Sequence, residues 1–89
     1  KPDMVKGFKA TRDYKKDARN VMLSWKKAHR AYGYLIRYGT SVNKLYNSIL
    51  VYGDTQYDMR GLNKNTRYYF SIQAIGETGS SAPTRCIKQ

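Results

Sequence analysis

Apolar and polar residues alternate at a period of two along most of this chain, in short runs separated by polar, glycine- or asparagine-containing segments. A repeat of two is that of an extended strand, whose successive side chains point to opposite faces; a helical repeat of 3.6 is nowhere sustained. From Asn20 to Trp25, Val21, Leu23 and Trp25 point one way while Met22, Ser24 and Lys26 point the other. Tyr34, Ile36 and Tyr38 form a second inward row with Leu35 and Arg37 outside, and Gly33 and Gly39 bracket it as turn residues. The clearest run places Tyr68, Phe70, Ile72 and Ala74 inward against Tyr69, Ser71, Gln73 and Ile75 outward.

Four further runs complete the pattern. Val5 to Ala10 suits an edge strand whose lysines discourage pairing with other chains. Leu45 to Tyr52 is rich in strand formers and ends at Gly53 and Asp54, and Gln56 to Met59 makes a short strand before Arg60 and Gly61 turn the chain. Gly76 to Gly79 supplies a hairpin-like loop, and a last strand runs from about Ser81 to Ile87 as an edge or bulged one, because Pro83 cannot donate to a ladder. About seven short strands with turns every ~8 to 12 residues predict an all-β fold: a two-sheet antiparallel β-sandwich.

A chain of 89 residues supports one hydrophobic core, since a domain this small buries only about 60% of its unfolded surface. Residues 1–89 therefore read as a single domain, and the abrupt start at Lys1 and Pro2 reads as that of a module excised from a larger protein. The lone Cys86 forms no internal disulfide and excludes a cysteine framework or a cysteine-rich zinc site; near a strand-like C-terminus it reads as a small buried hydrophobe. The longest apolar stretch, Ile49 to Tyr52, is far short of the roughly 20 residues of a membrane-spanning helix, and the first residues show no signal-peptide pattern.

Three motifs then resemble a known family across nearly the whole chain. Trp25 closes a Val-x-Leu-x-Trp strand, Tyr34-x-Ile-x-Tyr38 follows after one loop, and Leu62-x-x-x-Thr-x-Tyr68 continues as Tyr-x-Phe-x-Ile-x-Ala. In this order, with Pro2 at the start and Gly79-Ser-Ser-Ala-Pro83 before the last strand, they resemble the fibronectin type III domain, an immunoglobulin-like sandwich. The resemblance implies a core of Val21, Leu23, Trp25, Tyr34, Ile36, Tyr38, Leu62, Tyr68, Phe70 and Ile72. Within it Trp25 would span the two sheets, and Tyr68 would form a tyrosine corner, its hydroxyl bonded to upstream backbone above Leu62. Where that family often has proline and glycine, this chain has Lys64 and Asn65, and the tolerance of asparagine for the left-handed conformation is expected to preserve the turn. A second resemblance, in Tyr38-Gly39, Asn43 to Gly53 and Leu62 to Phe70, is to the small β-domain that follows the catalytic propeller of bacterial glycoside hydrolases acting on arabinan- and xylan-type polysaccharides. It implies the catalytic domain of the same chain as a neighbour, and an extracellular, periplasmic or cell-surface location.

The chain itself lacks a catalytic constellation. Glycoside hydrolysis needs two carboxylates flanking one bond, whereas Asp3, Asp13, Asp17, Asp54, Asp58 and Glu77 fall in expected turns or near the termini, where they read as solvated turn formers. His29, the only histidine, sits in a basic loop without the companions that a metal site or a nucleophile would need, and there is no Gly-x-Ser-x-Gly elbow. The expectation is a non-enzyme with no cofactor and no metal.

Two features remain for binding. The formal charge of +11 invites a polyanion, but although ten basic and three acidic residues lie in the first 30, basic groups recur throughout. The loop Lys26 to Arg30 is expected to share one end of the sandwich with Gly53–Thr55 and Gly76–Gly79, and Lys15, Lys16, Arg19, Lys44 and Lys64 to occupy the other. Basic groups at both ends read as a solubilising surface, and no RNA-binding aromatic motif or zinc-finger spacing points to nucleic acid. Among nine tyrosines, Tyr14, Tyr32, Tyr46, Tyr52, Tyr57 and Tyr69 are not claimed by the inward alternation; they read first as cross-strand packing partners and otherwise as sugar-stacking platforms. The candidate ligand contacts are Tyr32, Tyr46, Tyr52, Tyr69, Lys26, Lys27 and Arg30. The adhesive tripeptide Arg-Gly-Asp is absent. The chain is thus expected to be an accessory or spacer module of a secreted bacterial glycoside hydrolase, monomeric when isolated, with carbohydrate or polyanion binding and protein–protein adhesion as alternatives.

Overall fold

The computed structural model describes residues Lys1–Gln89 and contains eight strands and no helix. They are β1 (Lys9–Asp13), β2 (Asp17–Ser24), β3 (Gly33–Gly39), β4 (Asn47–Tyr52), β5 (Gln56–Met59), β6 (Tyr69–Gly76), β7 (Gly79–Ser80) and β8 (Ile87–Lys88). One sheet has the order β1-β2-β5; the other runs β4-β3-β6-β7, with β8 also pairing β6. Every pairing is antiparallel. The two sheets face each other across one core.

Strand bounds and turns differ from the sequence reading: β2 runs Asp17–Ser24 and stops short of Trp25, β4 starts at Asn47 and not Leu45, and β6 starts at Tyr69 and not Tyr68. The first strand is not Val5–Ala10 but Lys9–Asp13: Gly7 adopts φ 69°, which turns the chain before β1, although Val5 is buried. Gly33 and Gly39 are not turns but the buried first and last residues of β3: Gly33 pairs with both Tyr52 and Ile75, and Gly39 with Tyr69 alone. A side chain at Gly39 would run into the Lys44 carbonyl oxygen, so glycine lets the 40–46 loop fold back onto the strand end. The last strand is split into β7 and β8 on either side of Pro83, although the Ser81 and Thr84 N–H groups still bond to the carbonyls of Ala74 and Ile72. Finally, Asn65 is not left-handed. The Asn63 side chain instead accepts the Asn65 N–H at 2.9 Å, an Asx turn that closes the loop without a positive φ; Arg30 is the only non-glycine residue with one, at 66°.

The core follows from the alternation. Val21, Leu23 and Met59 of the first sheet meet Tyr34, Ile36, Val51, Phe70, Ile72 and Ala74 of the second, and Val5, Trp25, Ala28 and Leu62 close the ends. Tyr38 and Tyr68 are half-buried against this cluster. Trp25, just past β2, reaches the facing sheet and meets Tyr34 edge-on with ring centres 5.3 Å apart, while Phe8 flanks it at 6.4 Å. Its Nε1–H is buried without a hydrogen-bond partner.

The corner around Tyr68 contains a residue that the sequence reading did not single out. Arg12, 7% exposed, points inward where the β1–β2 register breaks between Thr11 and Asp13. Its guanidinium donates to the main-chain oxygens of Ala18, Asn63, Thr66 and Gln89, from three separate segments, and lies 4.7 Å from the centre of the Tyr14 ring. Main-chain oxygens and aromatic faces compensate this buried cation. The signal was present in Phe8, Ala10 and Arg12, which share one parity and all turn toward the core.

Candidate functional site

Four of the seven candidate contact residues meet at one end of the sandwich. Loop 26–32, the turn 53–55 and the hairpin after β6 lie there because Gly33, which begins β3, pairs with both Tyr52 and Ile75. The loop is braced from inside: the buried Tyr34 hydroxyl accepts the Ala28 N–H at 3.0 Å, and the Tyr32 N–H donates to the Ile75 carbonyl at 2.9 Å. Tyr32 is thereby fixed at the rim, and its ring stacks on Tyr52 with centres 6.2 Å apart and planes inclined by 12°.

Gly33 permits this arrangement. A Cβ there would stand 2.8 Å from two carbons of the Tyr52 ring, so that ring lies across the strand where a side chain would otherwise project. Tyr32 and Tyr52 remain 53% and 60% exposed. On the same outer sheet face, Leu50 is opposite Leu35 in the next cross-strand row and is 51% exposed, and Ile75 lies opposite Gly33. The result is a contiguous apolar face of aromatic and aliphatic groups.

Two clefts flank Tyr32. One, of about 380 Å³, is lined by Lys27, Tyr32, Tyr34, Asp54 and Thr55 among others; the second, of about 400 Å³, by Pro2, Arg30, Tyr32, Glu77 and Thr78 among others. Lys27 and Arg30 thus join the tyrosine pair. Lys26 instead lies with its aliphatic stem against Gly7. Tyr46 is 81% exposed in the loop before β4, at the far end of that strand from Tyr52. Tyr69 sits beside Gly39, at the opposite end of β3 from Gly33, with the Lys88 ammonium 5.6 Å from its ring centre. The structure therefore assembles Tyr32, Tyr52, Lys27 and Arg30 and separates Tyr46, Tyr69 and Lys26 from them. Leu50, missed by the sequence reading, completes the face; its outward parity between Ser48 and Tyr52 was the available signal.

No group of three or more His, Cys, Asp or Glu is placed to hold a metal ion. Asp13 accepts the N–H groups of Lys15 and Lys16, Asp54 that of Thr55, Asp17 the Asn20 amide, and Asp58 pairs with Arg60 at 2.8 Å. His29 is exposed and Cys86 half-buried. The Arg60–Asp58 pair is the only salt bridge, so the remaining lysines and arginines have no carboxylate partner. Lys15, Lys16, Arg19, Lys44 and Lys64 are all exposed, in or beside segments away from the Tyr32–Tyr52 face.

Two antiparallel sheets joined by a tyrosine corner, with loops gathered at the sandwich ends and an aromatic pair at one rim, define an immunoglobulin-like sandwich module. More specifically, residues 4–88 match the fibronectin type III domain model, and the chain belongs to that family. Its members are general modules for spacing or interaction, usually non-catalytic and often extracellular.

Similar solved structures include the crystal structure of FN3tt, with 25% identity, a TM-score of 0.86, and coverage of 99% of this chain and 91% of that one. An Fn3-like protein from Clostridium thermocellum has 22% identity and a TM-score of 0.83, covering 98% and 90%. An FN3 domain of human collagen XX has 20% identity and a TM-score of 0.75, covering 100% and 92%. The latter two likenesses are of fold. No curated protein sequence matches the chain. No helix is long and apolar enough to cross a membrane.

Proposed function

We propose that this domain is a non-catalytic accessory module of a larger, secreted protein, bracing and spacing a neighbouring domain that docks on the face formed by Tyr32, Tyr52 and Leu50. The carrying observation is that face: two stacked tyrosines and a leucine, each more than half exposed, backed by Leu35 and Ile75 on a rigid sheet. Aromatic groups held in place lose little conformational entropy on binding and desolvate well, as docking surfaces require. A bacterial glycoside hydrolase as parent is supported by the resemblance in Tyr38-Gly39, Asn43–Gly53 and Leu62–Phe70. Its catalytic domain is then the neighbour.

A second reading, carbohydrate binding at the same end, is favoured by the adjoining cleft, where Lys27, Asp54 and Thr55 place polar groups beside the Tyr32 ring. The two readings separate in one titration of the isolated domain, followed by NMR against xylan and arabinan fragments and an acidic polysaccharide at two salt concentrations. The accessory reading expects no saturable shifts. Clustered saturable shifts at Tyr32 and Tyr52 would replace it with the binding reading, and their salt dependence would separate neutral from charged ligands.

A further inference from the structure

The edges of the two sheets are not equally protected. In the smaller sheet, β1 carries Lys9, the inward Arg12 and Asp13 with a register break, and β5 is only four residues long and carries Asp58. On one side of the larger sheet, β7 and β8 are two residues each, separated by a segment containing Pro83. These are the usual devices that prevent a sheet from adding strands.

On the other side of that sheet, β4 has none of them. It pairs β3 along all six residues without a bulge and has no neighbour beyond, and Asn-Ser-Ile-Leu-Val-Tyr contains no charge, proline or glycine. Its free edge is an unpaired row of backbone donors and acceptors, flanked on the outer face by Leu50 and Tyr52.

Charge selects the occupant. The edge strand β4, its neighbour β3 and the loop between them contain no carboxylate but carry Arg37 and Lys44. Arg37 is opposite Ser48 in an outer row that ends at the open edge, and Lys44 precedes β4. A second copy would bring its own Arg37 and Lys44 to the same edge, whereas an acidic strand would pair with them.

We propose that the β4 edge accepts an extended acidic segment of a partner polypeptide as an added antiparallel strand, with apolar side chains beside Tyr52 and Leu50 and carboxylates beside Ser48, within reach of Arg37. The inference rests on the docking reading, since both place a partner at Tyr52, and adds the backbone geometry and charge of that partner.

The probe is the capped peptide Val-Thr-Val-Thr-Glu-Thr-Glu. Antiparallel to β4, it sets valines opposite Tyr52 and Leu50 and glutamates opposite Ser48 and Tyr46. In NMR titrations of the domain, shifts and slowed amide exchange concentrated on residues 46–52 are expected. Binding should weaken at least about tenfold when the glutamates are replaced by lysine, and similarly in Leu50→Lys or Tyr52→Lys, which alter exposed side chains and leave the core intact. Shifts elsewhere, equal binding of the lysine peptide, or no binding at millimolar peptide would overturn the inference, as would sedimentation showing that the domain dimerises through residues 47–52. Silent sugars with a failed peptide would remove strand addition alone; saturable sugar shifts at Tyr32 and Tyr52 would remove the docking reading.

Discussion

Arg12 and Tyr68 hold Asn63 by its two backbone polar groups: the Tyr68 hydroxyl accepts the Asn63 N–H at 3.0 Å, and the Arg12 Nη2 donates to the Asn63 carbonyl oxygen at 2.6 Å. The guanidinium carbon stands 5.6 Å from the centre of the Tyr68 ring, so the two side chains support each other as well as the loop. A tyrosine corner usually pins the crossover with its hydroxyl alone. Here a buried cation shares the task and extends it to β1, β2 and the C-terminal segment.

Replacing Arg12 should therefore matter more than removing the corner's hydroxyl. Arg12→Met forfeits charge-assisted bonds to four carbonyls, for roughly 2–4 kcal/mol, whereas Tyr68→Phe loses one bond to an accessible N–H, about 1 kcal/mol. Arg12→Lys should recover little, because an ammonium lacks the planar fork that spans these oxygens. Urea denaturation orders the three variants; a larger loss in Tyr68→Phe than in Arg12→Met would contradict the assignment.

Trp25 bridges the sheets, so Trp25→Ala should cost roughly 3–5 kcal/mol by leaving a cavity between Phe8 and Tyr34. Trp25→Phe retains an aromatic ring and removes an unpartnered buried N–H, and should cost only about 1 kcal/mol. Thermal and urea unfolding measure both, and a near-neutral Trp25→Ala would mean that the residue does not hold the sheets together.

Two glycines of β3 should respond differently to the same methyl group. At Gly39 it meets the fixed Lys44 carbonyl, and Gly39→Ala should destabilise by about 2 kcal/mol or more. At Gly33 it meets the Tyr52 ring, which a changed rotamer can carry outward into solvent, so Gly33→Ala should stay within about 1 kcal/mol of the parent while abolishing the Tyr32–Tyr52 stack. The ring-current shifts of both tyrosines report the second effect, and their persistence in Gly33→Ala would refute the account of that glycine.

With a formal charge of +11 and one ion pair, the folded domain repels itself more than the expanded chain does. Raising sodium chloride from about 0.02 M to about 0.5 M should therefore raise the melting temperature, by roughly 2–4 °C for ~0.5 kcal/mol of relieved repulsion. A flat or falling melting temperature would show that the charges are too dispersed to interact.

What could be read from the chain was what is local. Alternation along residues 20–25, 34–38 and 68–75 indicated strands and their buried faces, since a residue's parity within a strand decides which side of the sheet it meets. Those rows, with the Trp25 and Tyr68 motifs, were enough for the sandwich. Boundaries were less legible where the backbone made the decision: Gly33 and Gly39 look like turn residues in sequence, and only their strand partners, Tyr52 and Ile75 for Gly33 and Tyr69 for Gly39, show that they belong to β3. The site was least legible. Tyr32, Tyr46, Tyr52 and Tyr69 are equivalent in composition, and 19 positions separate Tyr32 from Tyr52; the antiparallel pairing of Gly33 with Tyr52 brings them together. The surroundings of Arg12 likewise come from three segments, the start of β2, the loop 63–66 and the C-terminal residue, whose oxygens converge only when both sheets and the corner are assembled. Side-chain periodicity is a property of consecutive residues, whereas the stacking of two rings and the solvation of a buried cation are properties of segments brought together by the fold.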